Sequence, residues 1–417
     1  MTKLEQLIEE LCPNGVEYHE LGKIAEMQRG TSITKKNVCE GEIPVISGGR
    51  EPAYYCDTFN REGETITVAG SGAGAGYVQY WDRPIFVCDA FSIKGNEQLS
   101  TKYLYYFLTS IQEFIYSTKK GGGVPHVHVS SIEHVQIPVP PLPVQSEIVR
   151  ILDNFTELTA ELTAELTARK KQYEYYRTKL LERPENESKM VSVANLGKWS
   201  GGKTPSTANK EFWENGTIPW ISSKDMKAPT LEDTEDHLTE KALDEGGMAL
   251  LPEGTIAVVT RSGILKHTFP VAYVPFKTTV NQDIKALVVK EGISSRYVFH
   301  ALQAYAENIR KSTKKQGGTV DSLDFQRVLA YEIPVPALDV QNRLVNVLDN
   351  FDAICSDLKI GLPAEIEARK KQYELYREQL LTFAEGGRTI LTDRQTDRQT
   401  DEYNALIRLC QYVFGYV

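Results

Sequence analysis

One block of sequence occurs twice in this chain and constrains its fold more than any other feature. Residues 145–181 and 341–381 share two identical strings, LDNF (152–155 and 348–351) and ARKKQYE (168–174 and 368–374). The same lead, IPVP, precedes both copies, at 137–140 and at 333–336. An internal repeat of this kind predicts two structurally similar units, each followed by a long helix.

The first copy has the pattern of a coiled-coil helix. Seam positions recur every seventh residue in two rows offset by four, over about five heptads: Ile148, Phe155, Leu162, Arg169 and Tyr176, then Leu152, Thr159, Leu166, Tyr173 and Leu180. Glycine is absent from 145–181, and Pro143 and Pro184 bound the block. The pattern predicts one uninterrupted helix of roughly 55 Å that acts as a spacer.

The second copy carries four extra residues between its two shared strings, and this stutter includes Gly361, Leu362 and Pro363. We therefore expect one helix to end near Ile360 and another to begin with Pro363 in its first turn. The first copy also varies by fours, because TAEL occurs at 159–162 and 163–166. One more TAEL would lengthen a continuous helix by about 6 Å and rotate its end by about 40°.

Composition narrows the class of protein. A chain of 417 residues has room for two or three domains, and 41% hydrophobic with 25% charged residues is typical of soluble globular proteins. No apolar run approaches the roughly 20 residues of a membrane span, and the charged start does not resemble a signal peptide. Six irregularly spaced cysteines favour reduced thiols and a cytoplasmic location. A net charge of −9 argues against a polyanion-binding surface over the whole molecule, so any nucleic-acid contact must be local or shared with partners.

These patterns predict a division of the chain. Residues 1–15 form a helical arm, 16–143 a first domain, 144–183 the first long helix, 184–338 a second domain, 339–383 the second long helix with its break near 361–363, and 384–417 a low-complexity tail. The arm has Leu4, Leu7, Ile8 and Leu11 on one helical face. We expect this face to pack elsewhere in the chain, with the far end of the second long helix as one possible dock.

The two domains share short sequence landmarks. The first alternates β-like runs at 43–46, 65–69, 77–80 and 85–88 with glycine-rich turns, and a helical stretch follows at 101–116. GEIPVIS (41–47) matches GTIPWIS (216–222), Ser71-Gly72 is matched with Ser262-Gly263, and STKKGGG (117–123) matches STKKQGG (312–318). The interpretation is one scaffold in two copies whose working surfaces have diverged.

No motif in the chain indicates catalysis. The run GSGAGAG (70–76) lacks the GK[ST] ending of a P-loop and precedes a β-like stretch, so a loop that lets backbone approach a ligand surface such as DNA is favoured over a mononucleotide site. His126, His128 and His134 have no cysteine or acidic cluster beside them, so solvent-facing imidazoles are favoured over a metal site. Hydrolase, metalloprotease and amino-methyltransferase signatures are missing.

Basic and hydroxyl residues recur in the loops of both domains, and such side chains contact phosphates and base edges in DNA complexes. For any single residue a solvated loop is the simpler interpretation; the recurrence of STKK before glycines makes the two interpretations about equally weighted. The predicted DNA-binding residues are Arg29, Thr31, Ser32, Lys35, Lys36, Arg50, Ser71, Lys119 and Lys120 in the first domain, and Lys203, Thr204, Ser206, Lys224, Arg261, Ser262, Lys266, Lys311, Lys314 and Lys315 in the second.

The ARKKQYE strings offer a second predicted surface, for a partner protein. Tyr173 and Tyr176 lie on the heptad seam, where packing is their expected role, whereas the lysine pairs face outward. The predicted partner-binding residues are Arg169, Lys170, Lys171, Arg369, Lys370 and Lys371.

With these residues in view, the chain resembles the DNA-specificity subunit of type I restriction-modification systems from residue 1 to about 383. The resemblance rests on the repeated IPVPPLPVQ…ILDNF…ARKKQYEYYR block, the TAEL repeats and GKTPS…IPWIS at 202–222; the first domain has GTSIT (30–34) where GKTPS is expected. It implies an α+β fold: two similar mixed α/β target-recognition domains separated by two long antiparallel coiled-coil helices in a pseudo-two-fold internal repeat.

The resemblance also implies a function. Each target-recognition domain would read one half of a bipartite double-stranded DNA sequence, and the helices would dock methyltransferase (modification) subunits, two of them by symmetry, with restriction subunits joining through the complex. The subunit would have no catalytic activity and no cofactor, because S-adenosylmethionine and ATP bind the partner subunits. The rival interpretations are a homodimeric coiled-coil adaptor without a DNA role and a stand-alone enzyme.

Overall fold

A computed structural model of the chain describes residues 2–33, 39–182, 188–315, 320–356 and 361–383. The chain divides into two compact units: unit 1 comprises Met1–Ala164 with Leu358–Val417, and unit 2 comprises Glu165–Asp357. In the described ranges no helix combines the length and the apolar character needed to cross a membrane. The predicted tail, 384–417, lies outside the described residues, and the domain limits drawn from the sequence stay predictions.

The first part of the chain contains five α-helices and nine strands among its described residues. In chain order they are α1 (Lys3–Leu11), β1 (Tyr18–Glu20), α2 (Leu21–Ile24), β2 (Ala25–Arg29), β3 (Ile43–Ile46), β4 (Tyr54–Cys56), β5 (Thr65–Ala69), β6 (Val78–Trp81), β7 (Phe86–Val87), β8 (Ala90–Gly95), α3 (Thr101–Ser110), α4 (Gln112–Ser117), β9 (Gln136–Pro138) and α5 (Leu142–Glu182).

The second part repeats much of this order. Its elements are β10 (Lys189–Ser192), β11 (Gly197–Gly201), β12 (Ile218–Ile221), β13 (Asp236–Leu238), α6 (Glu240–Asp244), β14 (Thr255–Val259), β15 (Val271–Val274), β16 (Thr279–Val280), β17 (Ile284–Val289), α7 (Ser295–Ala304), α8 (Ala306–Thr313), α9 (Phe325–Ala330), β18 (Glu332–Val335), α10 (Leu338–Ser356) and α11 (Leu362–Leu381).

The sheets of the two units have the same topology. Each unit has a four-stranded antiparallel sheet, in the order β2-β8-β5-β6 or β11-β17-β14-β15. Each has a three-stranded sheet, β4-β3-β7 or β13-β12-β16, whose middle strand pairs antiparallel on one side and parallel on the other. Strands β1 and β9 form a two-stranded ladder, as do β10 and β18. This agreement confirms the internal repeat and the mixed α/β class.

The cores form where the sequence predicts strands. Strand β5 (TITVA) and strand β14 (TIAVV) are buried at every position, which suits their β-branched side chains. Helices α3 and α7 pack over these sheets, and each begins at a serine, Ser100 or Ser294, whose hydroxyl accepts a hydrogen bond from the amide of a buried tyrosine in the first turn. The equivalent caps start equivalent helices.

The long helices follow the heptad analysis. Helix α5 runs for 41 residues without a break, which confirms the predicted uninterrupted helix; its role as a spacer stays a prediction. The second copy is interrupted: α10 and α11 are separate, Gly361 caps α11, and Pro363 lies in its first turn. The break is confirmed, whereas the expected end near Ile360 falls outside the described residues.

Within each unit, one half of α5 packs on a helix of the second copy. In unit 2 the ring of Phe351 stacks on Tyr173 and Tyr176, with ring centroids 6.2 Å apart in both cases. Farther along α10, burial raises the pKa of the Cys355 thiol, and the charges of Lys170 and Arg169 on α5 oppose this rise. In unit 1 the equivalent rings, Phe155 and Tyr376, stack at 5.3 Å. The heptad positions of α5 therefore pack against helices of the same chain.

The N-terminal arm belongs to the core of unit 1. Leu4 and Ile8 of α1 share one buried cluster with Leu380, Leu381 and Phe383 at the end of α11. The Tyr18 hydroxyl donates a hydrogen bond of 2.8 Å to the carbonyl of Phe383. These contacts confirm the predicted dock for the arm.

Candidate nucleic-acid interface

In unit 1 the loops that follow β2, β5 and β7 converge at one edge of the four-stranded sheet. The Gly70 amide donates to the carbonyl of Asp89 at 3.0 Å, and the Gly70 carbonyl accepts from Val127 at 3.0 Å. A side chain at Gly30 would overlap the carbonyl of Cys88, so only glycine permits this approach. A polar cleft of about 300 Å³ results, and Arg29, Ser32, Asp89, His126 and His128 are among its lining residues.

Unit 2 builds the same edge with equivalent backbone bonds. Lys203 donates to Val280 at 3.1 Å, as Thr31 does to Val87 at 2.9 Å, and a side chain at Gly202 would overlap the Val280 carbonyl. Gly202 therefore occupies the position of Gly30. The GTSIT segment of the first domain thus stands where the second domain has GKTPS, as far as Ile33, the last residue described before the gap at 34–38.

An aspartate follows the short strand β7 or β16 in each unit and holds a side chain from the loop after β5 or β14. Asp89 accepts a hydrogen bond from the Ser71 hydroxyl, and Asp283 accepts one from Nε of Arg261 at 2.7 Å. Ser71 forms a backbone bridge with His126, and Arg261 forms one with Ser322. Ser71 and Arg261 are therefore structurally equivalent.

This equivalence corrects one match made from the sequence. Matching by residue identity aligned Ser71 with Ser262, but Ser262 donates its amide to Asp321 at 3.0 Å, as Gly72 does to Pro125 at 3.0 Å. Ser262 thus corresponds to Gly72. The ends of the strands and the backbone hydrogen bonds determine which residues are equivalent in space. In this alignment the serine of Ser262-Gly263 is shifted by one residue from the serine of Ser71-Gly72.

The other predicted residues of unit 1 lie around the cleft or on adjacent loops. Arg29 Nη2 and His128 Nδ1 are 3.2 Å apart, and the imidazoles of His126 and His128 stack with centroids at 6.0 Å. The backbone of Lys120 exchanges two hydrogen bonds with His126, at 2.8 and 2.9 Å. The ammonium of Lys119 lies 4.2 Å from the ring centre of Tyr116, and the guanidinium of Arg50 lies 5.0 Å from that of Tyr77. Lys35 and Lys36 lie outside the described residues.

In unit 2 the structure brings some predicted residues together and places others elsewhere. Asp321 receives Lys314 Nζ at 2.8 Å, and this contact lowers the pKa of the Asp321 carboxyl, with a further contribution from Lys266. The Thr204 hydroxyl donates to Gln282 at 2.5 Å, next to Asp283, and the amide of Lys315 donates to Ser322 at 2.9 Å. Outside this group, Lys311 pairs with Glu307 at 3.2 Å, Lys224 contacts Glu235 at 4.0 Å, and the Ser206 carbonyl accepts from the Trp213 indole at 3.2 Å.

The glycine-rich run at 70–76 serves the fold of the unit. It leads directly into strand β6, and a side chain at Gly74 would lie 2.5 Å from the carbonyl of Gly48. The close approach that glycine permits at Gly74 is therefore to the protein's own backbone, and the expected approach of the loop to a ligand stays a prediction. Across the described ranges, no three histidine, cysteine or acidic side chains gather as a metal site would require.

Sequence reasoning missed Asp89, Asp283 and Arg61. The guanidinium of Arg61 donates to the Ser92 hydroxyl at 2.7 Å and to the carbonyl of Arg29 at 2.9 Å, which supports the edge of the cleft. The sequence did contain a signal for the two aspartates. Asp89 immediately precedes β8, Asp283 immediately precedes β17, and the internal repeat makes these two strands equivalent. This signal could be found by aligning strands rather than strings.

The predicted partner-binding residues divide into two kinds. Lys170, Lys171, Lys370 and Lys371 are exposed. The arginines pair with glutamates one turn earlier on their own helices, Arg169 with Glu165 at 3.3 Å and Arg369 with Glu365 at 3.6 Å, and Lys371 pairs with Glu367 in the same way at 3.7 Å. The side chain of Arg369 is only 14% exposed and that of Arg169 is 37% exposed, so the lysines are the more accessible cations of both strings.

Each unit thus carries the same sheet edge with polar side chains in its loops, and each is attached to a long helix that pairs within the chain. This arrangement defines a scaffold of two similar domains. The family model described as "Type I restriction modification DNA specificity domain" matches residues 13–169 and again 185–368. The chain belongs to this family and carries its domain twice.

Known relatives and solved structures agree with this assignment. The chain is 44% identical over 290 residues to the specificity subunit of the type I restriction enzyme EcoR124I/EcoR124II of Escherichia coli, which covers 68% of this chain and 70% of the relative. It is 28% identical over 407 residues to a putative type I restriction enzyme specificity subunit, S.HindORF215P, of Haemophilus influenzae, with 92% and 99% covered.

Among solved structures, the type I restriction-modification S subunit from M. genitalium has a TM-score of 0.56 at 17% identity, with 88% of this chain and 97% of that chain covered. A chain from a structural study of complex assembly in a type I restriction-modification system has a TM-score of 0.61 at 13% identity, with 88% and 98% covered. These two likenesses concern the fold.

Proposed function

We propose that this chain is the specificity subunit of a type I restriction-modification enzyme and that each unit contacts one half of a bipartite DNA target. The observation that carries the proposal is one scaffold in two copies with different side chains at equivalent edge positions. Thr31 corresponds to Lys203, Ser71 to Arg261, and His126 to Ser322. Equal scaffolds with unequal polar side chains suit two half-sites of different sequence.

The proposed role of the chain is recognition, and the chemistry belongs to its partners. S-adenosylmethionine would bind the modification subunits and ATP the restriction subunits, in the cytoplasm. Because the chain carries a net charge of −9, the electrostatic attraction to DNA would come largely from the complete complex. We expect the isolated chain to bind DNA weakly and to lose binding steeply with salt, and the chain with its modification subunits to bind much more tightly. Equal affinities in gel shifts at matched salt would contradict this.

The spacing between the half-sites is proposed to depend on α5. This helix begins in unit 1 and ends in unit 2, and the division between the units, at Ala164 and Glu165, falls within the TAEL tract. Deleting one TAEL removes about 6 Å and 40° of helix, and one base pair of DNA corresponds to about 3.4 Å and 36°. The rotation therefore matches one base pair closely and the rise only loosely.

The decisive experiment expresses the chain with its partner subunits and maps the methylated bases. The deletion of residues 163–166 should keep both half-sites and shorten the accepted gap by about one base pair. Glu161→Gln, which changes the same tract without changing its length, is the matched control and should keep the original gap. An unchanged gap in the deletion variant would refute the role of α5 as a ruler.

The exposed lysine pairs are proposed to dock two modification subunits, one at each ARKKQYE string. Lys170→Glu with Lys171→Glu should remove one modification subunit from the purified complex, and Lys370→Glu with Lys371→Glu should remove another. Lys179→Glu, a charge reversal elsewhere on α5, is the control and should leave the composition unchanged. Native mass spectrometry distinguishes complexes with two, one or no modification subunits, and an unaltered stoichiometry in all variants would exclude this surface.

A further inference from the structure

The position shared by Ser71 and Arg261 combines a fixed scaffold with a variable side chain. Both residues lie two positions beyond the end of an equivalent central strand, β5 or β14, and both contact the equivalent aspartate, Asp89 or Asp283. The aspartate is common to the units, whereas its partner is a hydroxyl in one and a guanidinium in the other. The fold thus presents one position with two chemistries.

The geometry of Arg261 is specific. Its Nε donates to Oδ1 of Asp283 at 2.7 Å, and the aspartate side chain is 22% exposed whereas that of Arg261 is 59% exposed. Within the part of the chain that the structure describes, the two terminal guanidinium nitrogens of Arg261 have no hydrogen-bond partner. The carboxylate therefore fixes the plane of the guanidinium through Nε and leaves both terminal nitrogens to a ligand.

Two parallel N–H donors at the end of a guanidinium fit the O6 and N7 acceptors of guanine in the major groove, which is the commonest base-specific contact in protein–DNA complexes. Lysine can approach the same atoms only as a single point charge. We infer that Arg261 reads a guanine in the half-site contacted by unit 2, and that Asp283 orients it. This inference rests on the proposed function and names one base-reading residue within it.

The corresponding residue of unit 1 cannot make the same contact. The Ser71 hydroxyl has one donor, which Asp89 accepts. Unit 1 has an arginine at the cleft, but Arg29 is on strand β2, at the position that Gly201 occupies in unit 2. Arg29 and Arg261 are thus at different positions of the common scaffold, so the two half-sites should place their guanines differently.

The test uses the assembled complex with its modification subunits and a DNA library in which each base of the unit 2 half-site is varied. Arg261→Ser should lower the preference for guanine at one position by about 5- to 150-fold and leave the preferences of the unit 1 half-site unchanged. Arg261→Lys should lose most of the same preference. Asp283→Asn should reduce it less, because the arginine remains but its orientation is weaker.

Lys314→Ala is the control for a contact with phosphate. It should weaken binding to all sequences of the library by a similar factor and keep the base preferences. If Arg261→Ser behaves in this way, or changes no preference, the inference is overturned. Circular dichroism and thermal unfolding of each variant complex show whether the fold is retained, which the exposure of Arg261 leads us to expect.

The reciprocal substitution gives a gain of specificity. Ser71→Arg should add a preference for guanine at the equivalent position of the unit 1 half-site, because Asp89 can accept from Nε as Asp283 does. No added preference in a folded complex would count against the equivalence of the two positions. If the wild-type complex methylates no bipartite site, the proposed function itself fails, whereas methylation that Arg261→Ser leaves unchanged defeats only this inference.

Discussion

The two units attach their recognition domains to the long helices at the same place but with different chemistry. In unit 1, Asp153 of the first LDNF string accepts from the Tyr106 hydroxyl at 2.5 Å and from Lys102 Nζ at 2.8 Å. In unit 2, Asp349 of the second string accepts from His300 Nε2 at 2.7 Å and pairs with Arg296. The donors occupy equivalent positions of α3 and α7. The acceptor is thus an aspartate in both copies of the repeat, whereas the donors on α3 and on α7 are different residues.

The junction of unit 2 is the more buried of the two. His300 is fully buried and its second ring nitrogen lies 3.4 Å from the hydroxyl of Tyr173, whose pKa burial raises to about 12. Burial alone would raise the pKa of Asp349, but the hydrogen bonds from His300 and Arg296 outweigh it and lower the pKa. In unit 1 the side chain of Lys102 is 32% exposed, so water solvates part of its charge. Unit 2 therefore depends more on its aspartate.

A second connection is the same in both units. The buried Gln145 accepts from the amide of Ser100 and donates to the carbonyl of Pro140, with distances of 2.8 and 2.7 Å. Gln341 makes the matching bonds to Ser294 and Pro336, both at 2.8 Å. Each glutamine joins the start of a long helix to the cap of α3 or α7. These two bonds are the same in both units, whereas Gln145 also donates to the carbonyl of Gln98 at 2.8 Å, a bond that Gln341 lacks among the described residues.

The largest expected effect tests the unequal junctions. Asp349→Ala leaves a buried histidine and an arginine without their acceptor and should lower the free energy of unfolding of unit 2 by about 2–4 kcal/mol. Asp153→Ala leaves a tyrosine and a partly hydrated lysine and should cost unit 1 about 1–2 kcal/mol. Hydrogen exchange of α7 and α3 under mild denaturant reports the two units separately. Equal losses would show that burial of the donors does not distinguish the junctions.

The next prediction tests the shared connection. Gln145→Ala and Gln341→Ala each leave a buried serine amide and a proline carbonyl unpaired, and each should cost about 1–3 kcal/mol. Because the bonds to Ser100 and Pro140 match those to Ser294 and Pro336, the two losses should agree to within about 0.5 kcal/mol, apart from the additional bond of Gln145 to the exposed Gln98. Gln98→Ala is a suitable control, because only the carbonyl of Gln98, which the substitution keeps, contacts Gln145. The same hydrogen-exchange measurement applies, and a loss in one unit alone would break the symmetry.

The smallest effect at neutral pH concerns a contact that only unit 1 has. Hydrogen bonds from Arg150, opposed by burial and aided by Lys3, lower the pKa of Glu147 to about 2. A carboxyl whose pKa is lower in the folded state adds stability above its unfolded pKa of about 4.3, and this stability is lost as the pH falls toward 2. Unit 2 has Arg343 at the corresponding place in the repeat.

Glu147→Gln should therefore flatten the acid dependence of unit 1 between about pH 4.3 and pH 2, with unit 2 unaffected. The measurement is the denaturant midpoint of α3 exchange at a series of pH values, compared with that of α7. Glu9→Gln, which changes an exposed carboxyl on the N-terminal arm, is the control. If the denaturant midpoint of Glu147→Gln depends on pH as that of the wild type does, this carboxyl does not contribute to the acid dependence of unit 1.

The sequence predicted the elements well because their signals are local. The heptads of 145–181 predicted α5, the stutter with Pro363 predicted the start of α11, and the β-like runs at 43–46 and 65–69 coincide with β3 and β5. Long-range pairings had no such signal. The contact of His300 with Asp349 joins residues 49 apart, and Ser71 was aligned with Ser262 because identity was the only guide. The predicted binding residues stay predictions until DNA or a partner is bound.

The way the units draw on the chain has a consequence for biosynthesis. Unit 2 is one continuous segment, Glu165–Asp357, whereas unit 1 combines Met1–Ala164 with a later segment that contains α11. As the polypeptide leaves the ribosome, the residues of unit 2 are all available before unit 1 has its last helix. Leu4 and Ile8 are synthesised long before Leu380 and Leu381, with which they share a buried cluster. A nascent chain stalled when residue 357 has left the exit tunnel and α11 has not should therefore contain a protease-resistant second half and a first half that is still readily cleaved.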